Sequence, residues 1–210
     1  MKRLAILGAS GHGKVVADTA ETCGWTEIMF FDDTWPSRTS NGVWDVVGTS
    51  QDLLAKAQEF DGVLVAIGNN TIRQSKLAAL VQTGAALATL IHPAAYVSRH
   101  ATIGAGSVVF AGAVLNTGAT VGLGGILNTG CSVDHDCFLA DSVHISPGAR
   151  LAGGVTVGQC SWIGIGACVK QMIKIGADAV VGAGAAVVSD VDEGVTVVGV
   201  PARALENSRK

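Results

Sequence analysis

The chain has 210 residues, which is enough for one large domain or two small ones, and we expect two. Its formal net charge of -3 and the lack of a basic run argue against a nucleic acid or an anionic membrane as a partner. Apolar residues make up 49% of the sequence, but no uninterrupted apolar stretch reaches the ~18 residues of a transmembrane helix, so membrane insertion is not expected.

The first residues predict a strand rather than a targeting signal. The apolar run after Lys2 and Arg3 is too short for a signal peptide, and it leads at once into a glycine-rich turn. The cysteines show no CxxC spacing, and we interpret them as buried thiols of a cytoplasmic protein. They are Cys23, Cys131, Cys137, Cys160 and Cys168.

A strand, a glycine-rich turn and a helix follow one another near the N-terminus. Residues 4–9 predict a buried strand, and residues 14–23 predict a helix. Glycines in such a turn let backbone N–H groups approach a phosphate at the helix N-terminus, and a tight turn without a ligand is the alternative. The GxxGxG spacing differs from the GxGxxG of dinucleotide-binding folds, which weakens an NAD interpretation. The turn contains Gly8, Ser10, Gly11, His12 and Gly13.

Asp32 and Asp33 follow the second predicted strand, residues 28–31. Carboxylates at this end of a strand are placed to accept hydrogen bonds from the base or ribose of a nucleotide, and ordinary loop acids are the alternative. Residues 34–49 predict a loop with a short edge strand. A helix over 50–59 is the next element.

A second polar turn, with Gly68 and Asn69, follows the predicted strand 63–67 and precedes a helix over 72–81. A last strand is expected near 88–91. Alternating strands and helices are typical of a small Rossmann-like parallel sheet, whose loops at the carboxyl ends of the strands form the ligand crevice. This α/β sheet is the first predicted domain.

An aliphatic residue recurs every six positions through the second half of the chain, between residues 97 and 192. A helix of 3.6 residues per turn cannot give this period, so we predict a stacked coil of short parallel strands. The boundary is expected at about residue 94, which gives domains 1–94 and 95–210. The aliphatic positions are Val97, Ile103, Val109, Leu115, Val121, Leu127, Val133, Leu139, Ile145, Leu151, Val157, Ile163, Val169, Ile175, Val181 and Val187.

His135 is the candidate for chemistry within the coil. Asp134 and Asp136 flank it at a corner, while Val133 and Cys137 take the core positions of its repeat, so the imidazole is expected to project outward. An outward imidazole beside carboxylates is a plausible general base, and an exposed histidine in a polar turn is the alternative.

A zinc site is the other possibility that the coil histidines raise. Ligands on one face of such a coil should lie a multiple of 18 residues apart or form a close pair, whereas His100, His135 and His144 are separated by 35 and 9 residues. Because this spacing does not converge on one ion, no metal is expected. We interpret His100 as a solvated surface residue.

The repeat resembles the left-handed β-helix of the hexapeptide acyltransferases. Over essentially the full chain the motifs resemble one branch of that family, the bacterial nucleotide-amino-sugar acetyltransferases. The motifs are LAILGASGHGKVVAD at the N-terminus, Phe31-Asp32-Asp33, Ala66 to Asn70 with Arg73, Leu127-Asn128-Thr129, Asp134-His135-Asp136, and Gly199 to Ala202.

The resemblance implies a set of site residues. His135 corresponds to the catalytic histidine, Asp136 to the acid beside it, and Asn128 to an asparagine of the same active site. The acetyl-CoA site is assigned to His144, Gly153 and Ile165, with the Gly153 amide meeting the thioester carbonyl. The nucleotide-sugar site is assigned to Gly8, Ser10, Gly11, His12, Gly13, Asp32, Asp33, Gly68 and Asn69.

If each coil holds three hexapeptides, as the resemblance implies, Gly153 lies one coil after His135. Gly153 and Gly154 are then expected to leave the surface next to the histidine open to a slender ligand.

The predicted reaction is acetyl transfer from acetyl-CoA to the 4-amino group of a UDP-linked 4-amino-4,6-dideoxy-N-acetyl-hexosamine. The alternatives within the branch are a GDP-perosamine N-acetyltransferase and a sialic acid or other sugar O-acetyltransferase. A hydride-transfer enzyme using NAD and a non-enzymatic sugar-nucleotide-binding module are alternatives of different classes.

The resemblance also implies a homotrimer. An exposed His135 on a convex corner has no pocket of its own, and a neighbouring coil would supply the missing wall. We therefore expect one active site at each interface, with acetyl-CoA contacts from two subunits.

Overall fold

The computed structural model describes residues 2–205. The chain divides between His92 and Pro93 into two compact units. Among the described residues, no helix is long and apolar enough to cross a bilayer.

The first unit contains a sheet with helices between its strands. The strands of the sheet are β1 (Arg3–Leu7), β2 (Glu27–Phe31), β3 (Ser40–Asn41), β4 (Trp44–Gly48) and β5 (Gly62–Val65). The strand expected near residues 88–91 is β6 (Leu90–Ile91), which does not belong to this sheet. The helices of the unit are α1 (Gly11–Thr22), α2 (Ser50–Lys56), which a 3-10 turn at Ala57–Glu59 extends, and α3 (Asn70–Gln82).

The sheet has the strand order β3-β4-β2-β1-β5. β1 lies parallel to both β2 and β5, and β2 lies parallel to β4, whereas β3 is the antiparallel edge strand of a hairpin with β4. Since the chain leaves β1 toward β2 on one side and later reaches β5 on the other, the strand order reverses at β1. This reversal is where open α/β sheets form their ligand crevice.

Local capping explains where two helices begin. Thr49 is the N-cap of α2, because its hydroxyl accepts from the Asp52 amide while the Asp52 carboxylate accepts from the Thr49 amide. The Asn69 side chain accepts from the amide of Ile72, so α3 begins at Asn70, two residues before the predicted start. Likewise α1 begins at Gly11, three residues earlier than predicted, so it includes part of the glycine-rich turn.

The second unit is a parallel β-helix with three faces. One face contains β7 (Tyr96–Val97), β10 (Val114–Leu115), β13 (Ser132–Val133), β16 (Arg150–Leu151), β19 (Cys168–Val169) and β22 (Ala186–Val187). The next contains β8 (Thr102–Ile103), β11 (Thr120–Val121), β14 (Phe138–Leu139), β17 (Thr156–Val157) and β20 (Lys174–Ile175). The third contains β9 (Val108–Val109), β12 (Ile126–Leu127), β15 (His144–Ile145), β18 (Trp162–Ile163), β21 (Val180–Val181) and β23 (Thr196–Val198), and β24 (Arg203–Ala204) pairs antiparallel to β23.

The strand register confirms three hexapeptides per coil. Val114 pairs with Ser132, and Ser132 pairs with Arg150, so one coil spans 18 residues. The predicted aliphatic and small positions form the core, as Leu115, Cys131 and Val133 show with no solvent exposure. The fold class is therefore confirmed as a Rossmann-like parallel sheet followed by a left-handed parallel β-helix of hexapeptide repeats.

The prediction that the cysteines are buried is wrong for two of them. Cys131, Cys137 and Cys160 are buried, but Cys23 is half-buried and Cys168 is exposed, because Cys168 takes the outward position of its strand. Burial raises the pKa of Cys131 to about 12, so this core thiol stays protonated.

Candidate functional site

His135 lies at a corner of the β-helix that we call the histidine corner, formed by residues 117–118, 135–136, 153–154 and 171–172. Backbone bonds stack these pairs, for example from the Asp136 amide to Thr117 and from the Gly154 amide to His135. The side chain of His135 is 63% exposed. The imidazole is therefore open to a ligand that approaches from outside the coil.

Asp136 is the acid that holds the imidazole. Its Oδ2 lies 2.8 Å from Nδ1 of His135. Asp134, the other flanking acid, is engaged elsewhere, since its Oδ1 accepts from Nδ2 of Asn116 at 2.9 Å. With Nδ1 bound to a carboxylate, Nε2 is the nitrogen left to exchange a proton with a ligand.

Gly153 lies directly beneath the imidazole. A β-carbon added to Gly153 would overlap Nε2, Cε1 and Cδ2 of His135. The backbone of Gly153 needs no positive φ, so glycine is required there for the ring and not for the turn.

The expectation of an open surface over both glycines is wrong at Gly154. A β-carbon on Gly154 would lie 2.5 Å from Sδ of Met172, an exposed residue whose side chain lies over that glycine. The surface beside His135 is thus covered by a thioether. The sequence pattern missed Met172 because its position in the repeat is usually glycine.

Asn128 and His144 lie together on another part of the coil. Oδ1 of Asn128 accepts from the Thr129 amide at 2.8 Å, which leaves its Nδ2 to donate to Nε2 of His144 at 3.2 Å. The His144 ring is stacked on Trp162 with a centroid distance of 4.3 Å. Trp162 was not predicted, and only its pairing with His144 one coil away places it in the site.

These residues line a groove of about 510 Å³ along the third face of the coil. The exposed Ile165 is at its edge, with Pro147 and Ala183. The apolar walls of the groove suit an aliphatic chain. Asn128 and His144, which are hydrogen-bonded to each other, add polar groups to its lining.

Within one chain the predicted catalytic residues separate into two groups. His135, Asp136 and Gly153 occupy the histidine corner, whereas Asn128 precedes the corner at the other end of β13. One strand and its flanking residues lie between Asn128 and His135, so the two side chains do not meet in one subunit.

The first unit contains a cavity of about 390 Å³ at the carboxyl ends of β1, β2 and β5. Five of the predicted residues line it: Gly8, Ser10, Asp32, Asp33 and Gly68. Ile67, Thr34 and Lys76 complete its polar and apolar walls. This is the crevice expected where the strand order reverses.

The two aspartates of this cavity are held by the protein. Asp32 accepts from the Ala9 amide at 2.7 Å and from the Thr34 hydroxyl. Burial by itself raises the pKa of Asp32, but these hydrogen bonds and the charge of Arg38 keep it below the ordinary value. Hydrogen bonding to Ser50, helped by the charge of Lys76, lowers the pKa of Asp33.

Four predicted nucleotide-site residues do not line this cavity. Gly13 is buried, with no room for a β-carbon between the Gly8 carbonyl and Phe30. Asn69 caps α3, and Gly11 lies in a separate hollow beside Lys14 and Arg38.

The fourth, His12, is half-buried, and burial and the nearby charge of Arg73 lower its pKa to about 4. Arg73 itself donates to the carbonyls of Ile67 and Gly68 and to Oδ1 of Asn70. One buried guanidinium therefore fixes the loop after β5 and faces the loop after β1.

Among residues 2–205, no group of three or more His, Cys, Asp or Glu side chains is arranged to hold a metal ion. His100 is exposed, and its Nε2 lies 3.1 Å from Nε of Arg99.

Comparisons with known proteins agree with both halves of the structure. Residues 3–80 match the family model described as the PglD N-terminal domain. A GDP-perosamine N-acetyltransferase of Escherichia coli O157:H7 is 32% identical over 221 residues, which cover 99% of this chain and 98% of that protein. A UDP-N-acetylbacillosamine N-acetyltransferase of Bacillus subtilis (strain 168) is 37% identical over 114 residues, covering 53% of this chain and 52% of that protein.

Two solved structures resemble the whole chain. The acetyltransferase domain of PglB from Neisseria gonorrhoeae FA1090, in complex with acetyl coenzyme A, is 45% identical with a TM-score of 0.93 and covers 97% of this chain and 99% of its own. PerB from Caulobacter crescentus, in complex with CoA and GDP-perosamine, is 37% identical with a TM-score of 0.92 and covers 98% of both chains.

Proposed function

Since the chain belongs to the family of acetyl-CoA-dependent nucleotide-sugar N-acetyltransferases, we propose that it acetylates the 4-amino group of a nucleotide-linked 4-amino-4,6-dideoxy sugar with His135 as general base. The observation that carries the proposal is the exposed imidazole with Nδ1 held by Asp136 and Nε2 facing outward over Gly153. Membership of this family sets aside the hydride-transfer and non-enzymatic alternatives.

His135 takes the proton that the amine loses as its nitrogen attacks the thioester carbonyl. The carbon–sulfur bond then breaks, and the leaving sulfur takes the proton from the His135 imidazolium, so that CoA leaves as the thiol and the neutral base is restored. Asp136 orients the ring and stabilises the imidazolium. The Gly153 amide is assigned to the carbonyl oxygen, where a backbone N–H stabilises negative charge.

We propose a homotrimer in which each site is completed by a neighbouring coil. The separation of Asn128 and His144 from His135 within one chain supports this, because a second subunit packed beside the histidine corner could bring its own Asn128 and His144 to it. The apolar groove that contains Ile165 is then assigned to the pantetheine arm of acetyl-CoA. A closed cyclic assembly gives equivalent sites.

We assign the nucleotide of the sugar substrate to the cavity of the first unit. The β1–α1 turn with Gly8 and Ser10 faces the diphosphate, and Asp32 and Asp33 face the nucleoside. Gly13 and Asn69 serve this site indirectly, through loop packing and capping. His12 lies near the charge of Arg73, which fixes the loop after β5, and Gly11 lines the neighbouring hollow with Ser10.

Two nucleotides are candidates. The sequence motifs favour UDP on a 4-amino-4,6-dideoxy-N-acetyl-hexosamine, while the similarity to a GDP-perosamine N-acetyltransferase over 99% of the chain favours GDP-perosamine. We also propose a cytoplasmic location, which reduced cysteines such as Cys131 and Cys168 support.

Thiol release from acetyl-CoA, measured with both nucleotide amino sugars and with sialic acid, tests the proposal. We expect turnover with a nucleotide-linked amine and none with sialic acid. Release of CoA that depends only on a hydroxyl acceptor would contradict N-acetylation. Light scattering should show a trimer, and a fully active monomer of 21.2 kDa would contradict the shared site.

A further inference from the structure

Met172 takes a backbone position in the coil that strongly favours glycine. The second residue of a corner has a positive φ, and nine corners use glycine there. Five corners use another residue, and Met172 has the longest side chain among these five: Asp136, Ser142, Cys160, Met172 and Asp178. Met172 adopts the same left-handed conformation with φ of 63°. A long unbranched side chain in that conformation is uncommon, and such strain is concentrated at functional sites.

Along the histidine corner, the second residue of each coil is alternately a glycine and a residue whose side chain lies over that glycine. Gly118, Asp136, Gly154 and Met172 follow one another along it at intervals of one coil. Oδ1 of Asp136 lies over Gly118 in the way that Sδ of Met172 lies over Gly154. The first covering side chain orients His135, which indicates that the second also serves the site.

Met172 lies on the side of His135 where the reactive nitrogen points. Nδ1 faces Asp136, while Nε2 extends over Gly153, the chain neighbour of Gly154. The Met172 amide donates to the Gly153 carbonyl at 3.0 Å, so the backbone of Met172 is hydrogen-bonded to the residue beneath the imidazole. A group that gives its proton to Nε2 therefore reacts beside the thioether.

We propose that Met172 is a specificity-determining residue that limits the acyl group to acetyl. The inference rests on the proposed function, in which the thioester carbonyl meets the amine at Nε2. The flexible, apolar thioether packs against the short acyl group and occupies the space that a longer acyl chain needs.

The substitution Met172→Gly tests this without endangering the fold, because it installs the residue that nine other corners use. We expect the ratio of kcat/KM for butyryl-CoA to that for acetyl-CoA to rise about 10-fold or more, the usual effect of space for one or two methylenes. Asp178→Gly, a left-handed position at a different corner, is the matched control and should leave the ratio unchanged. An unchanged ratio in Met172→Gly would overturn the proposal.

A binding measurement separates this inference from the proposed function. The sequence contains three methionines, so the methyl-13C spectrum of labelled protein is simple, and Met172→Gly assigns the signal. Saturating acetyl-CoA should shift the Met172 methyl resonance and leave that of Met29, in β2 of the first unit, in place. Acetyl-CoA that binds by calorimetry without moving the Met172 signal contradicts only the role of Met172. Absence of acetyl-CoA binding contradicts both proposals.

Discussion

The imidazole of His135 occupies the space in which Gly153 would carry a side chain. A general base must be held within hydrogen-bonding reach of the proton it removes, and here one surface of the ring rests on bare backbone. Two variants test this relationship, one at each residue.

His135→Ala removes the proposed base. We expect kcat for acetyl transfer to fall roughly 10²–10⁴-fold. The dissociation constant of the sugar nucleotide should change little, because we assign the nucleotide to the cavity of the first unit. Steady-state kinetics and calorimetry on the same preparation measure the two quantities. Nearly full kcat would remove His135 from this role.

Gly153→Ala should displace the ring without unfolding the coil. Equivalent first residues of other corners, such as Ala111 and Thr117, carry side chains, so the backbone accepts them. We expect kcat to fall about 10-fold or more at an unchanged melting temperature. In a double-mutant cycle Gly153→Ala should cost little further activity in the His135→Ala background, and additive losses would contradict the argument.

Asp136→Asn should lower kcat by up to about 10⁴-fold, because an amide at Nδ1 no longer fixes the tautomer or stabilises the imidazolium. Asp134→Asn is the matched control, since Asp134 bonds to Asn116 and not to the histidine. Kinetics of the two variants should therefore differ sharply. Equal losses would show that Asp134 also orients the ring.

Arg73→Lys keeps the buried charge but loses the fork that binds Ile67, Gly68 and Asn70. We expect KM for the sugar nucleotide to rise about 10-fold with KM for acetyl-CoA unchanged, because only the first unit is disturbed. Arg3→Lys, at a half-exposed arginine of the same unit, is the control. A parallel rise of both KM values would indicate general destabilisation instead.

The stability of the first unit should fall as the pH drops from about 6.5 to 4. The pKa of His12 is about 4 in the folded chain, so over this range the unfolded state binds a proton that the folded state does not. His12 accounts for about 3 kcal/mol of this loss, and its contribution is complete below pH 4, where it is protonated in both states. Below pH 4 the loss continues through Asp32 and Asp33, whose pKa values are lowered in the folded chain.

Urea unfolding of the full chain measures this loss in a Trp162→Phe background, in which the remaining tryptophans, Trp25, Trp35 and Trp44, all report on the first unit. His12→Gln should flatten the pH profile over this interval. A profile that is unchanged by the substitution would contradict the lowered pKa of His12.

Much of this protein is determined by its sequence alone. The sixfold period specifies a β-helix because residues six apart repeat one environment on one stacked coil, and the alternation of strands and helices specifies the parallel sheet. The corner with His135 and the acids beside it also follows from that local pattern.

The tertiary structure decided what depends on contacts between coils and between loops. Asn116, 18 residues before Asp134, donates a hydrogen bond to the Asp134 carboxylate. Asp136 is therefore the flanking acid that contacts Nδ1 of His135. Met172 covers Gly154 from the following coil, and Asn128 lies with His144 at a different corner from His135. The direction of each of these side chains depends on the residue that lies next to it one coil away. The order of residue types along the chain does not specify the conformation of that neighbouring residue, so the contact becomes visible only in the folded structure.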